Sequence, residues 1–204
     1  MTKSVIGLTG PTGAGKSTVA KAFQEAGCGI VDADRIARVA VTRTDCLSAL
    51  KEEFGADLQR PDGTLDRKLL AQRAFAEPRK TARLNAITHP VIMDEIKREI
   101  ARERLRPVKA VILDAPLLFE SGADGLCGAT VAVIAPQELR LARVLQRDAI
   151  TKEQALARFA AQHDDLYYRS RAGYLLDGSM SLESIPAAVQ NLLEKILGEL
   201  HETI

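Results

Sequence analysis

The 204 residues hold 28 Lys plus Arg against 27 Asp plus Glu, with 46% hydrophobic and 4% aromatic residues and no Trp. So even a balance supplies no bulk field for nucleic acid or an anionic membrane, and so few rings make a poor stacking platform for single strands. Cys28, Cys46 and Cys127 form no C-x-x-C pair and His89, His163 and His201 are scattered, which argues against a disulfide framework and a zinc site. No apolar run approaches the roughly 18 residues of a membrane span, and the expected address is the reducing cytoplasm. No nucleic acid, membrane or protein partner is implied.

Short apolar runs alternate with longer helical patterns, the signature of parallel βαβ units. The first strand is expected over Val5–Thr9, and a helix from about Lys16 to Ala26. Between them Gly10-Pro11-Thr12-Gly13-Ala14-Gly15-Lys16-Ser17 matches Gly-x4-Gly-Lys-[Ser/Thr] in full, in the strand–loop–helix context the motif requires. Successive N–H groups of such a loop point into a concavity, and the helix dipole adds positive potential, so a polyphosphate fits there. Lys16 would reach the β- and γ-phosphates of ATP, and the Ser17 hydroxyl would ligand Mg²⁺.

A second strand is expected over Gly29–Asp32, running into Asp32-Ala33-Asp34. Ligands of open α/β sheets bind beyond the carboxyl ends of the strands, where a carboxylate can orient an acceptor hydroxyl and take its proton. Asp34 is the candidate for that role. The competing reading makes it the N-cap of a helix beginning near Arg35, without a capping box because Ala37 stands where Glu or Gln would be.

Helical patterns then occupy Cys46–Phe54, Lys68–Phe75, Arg79–Ile87 and Val91–Leu105, interrupted by a turn signal at Pro61-Asp62-Gly63. An insertion this long in an α/β core either carries a substrate-binding subdomain or merely covers a sheet face. His89-Pro90 is expected to mark a helix boundary, because proline disfavours helix at the preceding residue. The next strand is expected over Val108–Leu113, followed by Asp114 as the second carboxylate of the metal shell or as a simple exit from the sheet. In Pro116-Leu117-Leu118-Phe119-Glu120 the apolar residues read as packing, and Glu120 could contact ligand.

Thr130–Ala135 and Tyr174–Leu176 complete the expected strands, with helical patterns at Pro136–Arg147, Lys152–Arg171 and Ile185–Leu200. Arg140, Arg143 and Arg147 fall on one helical face, either as a basic lid that stabilises transferring charge or as a solvated surface. The fold expected is α/β, a three-layer P-loop NTPase architecture with a parallel sheet. Residues 1–204 are expected to form a single domain, with the helical insertion at about 44–106 and a helical lid at about 137–171.

These residues together resemble the dephospho-CoA kinase family. The resemblance rests on Ile6-Gly7-Leu8-Thr9-Gly10 with Gly13-Ala14-Gly15-Lys16-Ser17-Thr18, on Asp32-Ala33-Asp34, Phe54-Gly55 and Asp62-Gly63-Thr64-Leu65-Asp66-Arg67. His89-Pro90, Pro116-Leu117-Leu118-Phe119-Glu120 and Gln162 complete it. It implies transfer of the γ-phosphoryl group of ATP to the ribose 3′-hydroxyl of dephospho-CoA, with Asp34 as base and Gly13 through Thr18 as the ATP loop. It further implies Lys16, Arg143 and Arg147 as catalytic cations, and His89, Leu117 and Glu120 on the acceptor side. Pro11-Thr12 departs from the Gly-Ile more usual in the family, Ser121 stands where Asn commonly follows the Glu, and Arg171-Ala172-Gly173 and Leu176-Asp177-Gly178 depart near the adenine side. The rival readings are another kinase of the nucleoside-monophosphate-kinase type and a regulatory P-loop ATPase.

Overall fold

The computed structural model describes residues 3–202. The chain folds as two compact units, one comprising the chain up to Asp32 and from Ile100 onward, the other Ala33–Glu99.

The first unit is built on five parallel strands: β1 (Val5–Thr9), β2 (Gly29–Asp32), β3 (Val111–Asp114), β4 (Ala129–Ile134) and β5 (Tyr174–Asp177). Their order is β2-β3-β1-β4-β5, so β1 lies at the centre and every residue of it is buried. The chain passes to one side of β1 for β2 and β3, then to the other for β4 and β5. This is the switch point at which open α/β sheets leave a crevice for ligands.

Strand alternation sends Ile6, Leu8, Val131 and Val133 to one face. There α1 (Lys16–Glu25) supplies Val19 and Phe23, while α9 (Ile185–Glu202) supplies Val189, Leu193 and Ile196. Phe23, Leu193 and Ile196 are fully buried, each worth ~1.5–3 kcal/mol by transfer from water. On the opposite face Ala132 and Ile134 meet Tyr168 of α8 (Asp165–Arg171). The sheet thus lies between two helical layers, as expected. The strands start or stop within three residues of the expected limits.

The second unit is helical. It contains α2 (Ala33–Ala40), α3 (Thr44–Phe54), α4 (Arg67–Ala74) and the first part of α5 (Pro78–Leu105). Its own core is Cys46, Leu50, Phe54, Leu58, Leu65 and Leu70, joined by Leu84, Ile87 and Val91 from α5. Asp66 caps α4, its carboxylate accepting the Leu69 N–H at 2.9 Å.

Three helix expectations are corrected. First, α5 runs unbroken for 28 residues through Pro90 instead of ending at His89. Proline inside a helix costs about 3 kcal/mol, and burial on both sides of it, from Val91 and Leu84 to Ile96 and Ile100, outweighs that loss. Second, the pattern over Lys152–Arg171 is two helices, α7 (Lys152–Ala160) and α8, because the Asp164 carboxylate accepts the Tyr167 N–H at 2.9 Å and starts a new helix. Third, α2 begins at Ala33, so Asp34 lies in its first turn rather than capping a helix that starts near Arg35.

Candidate active site

The loop between β1 and α1 bends back on itself, with Ala14 N–H donating to the Pro11 carbonyl at 3.1 Å. Gly13 has φ +83, and a Cβ there would come within 2.6 Å of the Arg140 carbonyl oxygen, so a side chain is excluded by both strain and space. α1 starts at Lys16, and first-turn N–H groups have no intrahelical acceptor, which directs those of Lys16 and Ser17 toward an anion. Within Gly13, Ala14, Gly15, Lys16, Ser17 and Thr18, the Thr18 N–H also donates inside the loop, to the Gly15 carbonyl at 3.0 Å, so the segment turns tightly at the end of the central strand.

Lys16 Nζ pairs with Asp114 Oδ1, and both side chains are largely shielded, at 16% and 15% exposure. Asp114 reaches this place because β3 lies beside β1 with Leu8 opposite Asp114. On its other side β2 sets Asp32 opposite Asp114 in the same register. The segment leaving β3 is tied back to β1, with Ala115 N–H donating to Leu8 and the buried Thr9 hydroxyl donating to the Pro116 carbonyl at 3.1 Å.

Among the described residues no group of three or more His, Cys, Asp and Glu side chains could hold a metal ion. A Mg²⁺ site commonly takes one or two carboxylates plus substrate phosphates rather than an all-protein cage. The Ser17 hydroxyl and Asp114 carboxylate are hard oxygen donors of the right kind.

The three arginines of α6 (Gln137–Asp148) part company. Arg140 is buried, its guanidinium 3.5 Å from Asp165 and over the Phe159 ring at 5.0 Å. Arg143 Nη1 donates to the carbonyls of Gly13 and Ala14 at 3.3 and 3.4 Å, so it alone of the three grips the loop. Arg147 bonds Asp148 at 2.6 and 3.1 Å. That hydrogen bond, with a second from Arg158, pushes the Asp148 carboxyl down to about 2. Gly178 lies against the Ala14 carbonyl, where a Cβ could not fit, so the turn after β5 also touches the loop.

The corner between α7 and α8, inside the expected lid and holding the Gln162 of the family resemblance, makes contacts whose partners the sequence does not name. Gln162 bonds Thr12 through both ends of its carboxamide, at 3.0 and 2.9 Å. His163 stacks on Tyr167 at 3.6 Å, with its Nε2 3.7 Å from Glu120 Oε1. Arg171 covers the same Tyr167 ring at 4.0 Å. Glu120 thus faces this stack, while Leu117 is exposed. No local pattern announces such contacts, because the partners lie far apart in the chain.

Within the helical unit a cavity of 350 Å³ is walled by Val41, Leu65, Leu70 and Phe75, with Asp34, Arg38 and Arg67 among its lining residues. Arg67 is held in place by a bond to the Arg38 carbonyl. His89 is exposed on α5 and is not a lining residue of that cavity.

A model of the dephospho-CoA kinase family matches residues 4–184. A protein of Corynebacterium diphtheriae called dephospho-CoA kinase is 41% identical over 192 residues, covering 94% of this chain and 96% of that protein. One from Deinococcus radiodurans with the same name is 41% identical, covering 94% and 91%. Among solved structures, a Thermus thermophilus protein superposes with a TM-score of 0.82 at 34% identity, covering 96% of this chain and 98% of its own. Shikimate kinase from Acinetobacter baumannii, at 19% identity and a TM-score of 0.52 with 98% and 94% covered, shares the fold.

Proposed function

Because this chain belongs to the dephospho-CoA kinase family, with ATP as co-substrate, we propose that it transfers the γ-phosphoryl group of ATP to the 3′-hydroxyl of dephospho-CoA, the last step in making CoA. The observation that carries the proposal is the shielded Lys16–Asp114 pair beside a complete phosphate loop, on neighbouring strands of the sheet. A triphosphate bound there would take over Lys16 as its own counter-ion, and Asp114 would be released to a metal ion.

Of the loop's backbone N–H groups, Ala14 and Thr18 already donate to the Pro11 and Gly15 carbonyls, so those of Gly13, Gly15, Lys16 and Ser17 would hold the β- and γ-phosphates, with Lys16 Nζ and Arg143 balancing their charge. Ser17 and Asp114 would hold Mg²⁺, which when bound neutralises charge on the phosphate oxygens. Arg147 can join only by leaving Asp148. Asp34 accepts the proton of the acceptor hydroxyl. The 3′-oxygen then bonds to the γ-phosphorus, and the bond to the bridging oxygen breaks, leaving its electron pair on ADP. Phosphoryl transfer asks for little beyond this positioning and charge stabilisation.

On the acceptor side, the cavity of the helical unit combines apolar walls with two guanidinium groups and the Asp34 carboxylate. Such a lining suits an elongated molecule that is part aliphatic and part diphosphate, which describes dephospho-CoA. His89, Leu117 and Glu120 are assigned to the same acceptor by family resemblance. The reading also puts the enzyme in the cytoplasm, where ATP is plentiful and Cys28, Cys46 and Cys127 would stay the free thiols they are here. No described helix is long and apolar enough to cross a membrane.

The test is to incubate the protein with Mg-ATP and dephospho-CoA and measure CoA and ADP together. Equal amounts of both, with no ADP formed without acceptor, are expected. Acceptor-independent ADP release would mark a regulatory ATPase, and preference for a different alcohol another small-molecule kinase.

A further inference from the structure

Gln162 lies in the short break between α7 and α8, 150 residues along the chain from Thr12. The Thr12 N–H donates to Gln162 Oε1 at 3.0 Å, and Gln162 Nε2 donates to Thr12 Oγ1 at 2.9 Å. One such bond would leave the carboxamide free to swing about it. Two fix its plane, and with it the backbone and side-chain torsions of Thr12.

The neighbours of Thr12 sharpen the point. Pro11 has its φ held by the ring and offers no N–H, and its carbonyl accepts from Ala14. Arg143 holds the carbonyls of Gly13 and Ala14. The crown of the loop is therefore restrained at each residue from 11 to 14. Thr12 lies outside the phosphate-facing stretch, so the two bonds from Gln162 act on the loop's shape and not on the ligand directly.

We propose that Gln162 is a positioning residue for the phosphate loop, acting through Thr12 as a two-point latch between the loop and the corner of α7 and α8. The proposal rests on the reading of this loop as the ATP site. The hydroxyl of Thr12 is an integral part of the latch, since a valine there keeps the N–H bond but leaves Nε2 without its acceptor.

The test is a cycle of Gln162→Met, which keeps length and shape but removes both bonds, and Thr12→Val, which removes one. Mg-ADP affinity is measured by calorimetry, with no acceptor and no transfer, and steady-state kinetics follow. Gln162→Met should weaken Mg-ADP about 5- to 30-fold, the size of two net hydrogen bonds, and Thr12→Val about 2- to 10-fold. The double variant should bind within about twofold of Gln162→Met alone, because both changes break the same contact. KM for ATP should rise in step, while kcat and KM for dephospho-CoA stay within about threefold.

Fully multiplicative effects, or a lowered melting temperature with unchanged Mg-ADP affinity, would reduce Gln162 to a packing residue and overturn the latch. If Gln162→Met fails to fold, Thr12→Val decides alone: unchanged Mg-ADP affinity refutes the latch, and the stated loss supports it. If the variants show the cycle in Mg-ADP binding while the wild type ignores dephospho-CoA, the latch stands and the assigned acceptor falls.

Discussion

Replacing Asp114 with asparagine removes one negative charge at nearly constant volume and tests the site at its centre. In the free protein Lys16 would be left in a place only 16% exposed, with its carboxylate partner gone. Breaking a fully buried pair from one side costs about 3–5 kcal/mol, and exposed pairs contribute about 0–1. With some water reaching both groups, the loss here is placed at about 1–2 kcal/mol. For a chain of this length that corresponds to roughly 2–8 °C in melting temperature. Adding ATP without metal should recover most of the loss, because the triphosphate supplies the counter-charge for Lys16. Transfer should not recover. With a metal ligand missing, the Mg²⁺ concentration for half-maximal rate should rise at least about tenfold, and kcat should fall about 100-fold. The assays are thermal melts with and without ATP and a Mg²⁺ titration of CoA formation. Near-normal kcat with an unshifted Mg²⁺ dependence would refute the assignment and leave Asp114 as a structural partner of Lys16.

Asp34→Asn should lower kcat by about 10²–10⁴ while leaving Mg-ATP affinity within about twofold, and equal losses in both would assign Asp34 a role in helix α2 instead. Arg67→Ala should raise KM for dephospho-CoA about 10-fold with little change in KM for ATP, since Arg67 lines the cavity of the helical unit; steady-state kinetics with each substrate varied checks this. Asp148 is lowered from 3.8 to about 2 by Arg147 and Arg158, so its contribution to stability is fully present above about pH 4 and lost as pH falls toward 2. Urea midpoints of the wild type and Asp148→Asn should therefore differ at pH 6 and converge at pH 2, and a constant gap would contradict the ion-pair origin.

The loop was legible because its chemistry is contiguous: Gly10 to Ser17 carries its own turn, its own cradle and its own helix start. Asp114 was legible because a carboxylate after three buried apolar residues has few places to go but the end of a strand. The arginines of α6 were legible only as a face. Arg140 and Arg147 share that face yet stand about 10 Å apart along the axis, so one is buried beside Asp165 and the other turns to Asp148. The break before α8 does carry a local signal, an Asp three residues before the N–H it caps. At Pro90 the local rule was sound and lost to packing, because helix α5 has apolar burial on both sides of the proline. Gln162 stands out in the sequence only through the family resemblance, and its partner could not be read there because Thr12 lies 150 residues away.

That last contact bears on how a glycine-rich loop can bind tightly. Gly10, Gly13 and Gly15 all have positive φ, and glycine surrenders more conformational freedom on ordering than any other residue. A loop left to itself would therefore charge that ordering against every nucleotide it binds, and its affinity would fall by the fraction of time spent in the wrong shape. Here the ordering is done beforehand by groups outside the phosphate-facing stretch: the Pro11 ring, the carboxamide of Gln162 and the guanidinium of Arg143. The Gly178 turn presses on the same loop from the end of β5. Affinity for ATP is then set partly by residues that need not touch phosphate, and substitutions among them should act on nucleotide binding before they act on the stability of the fold.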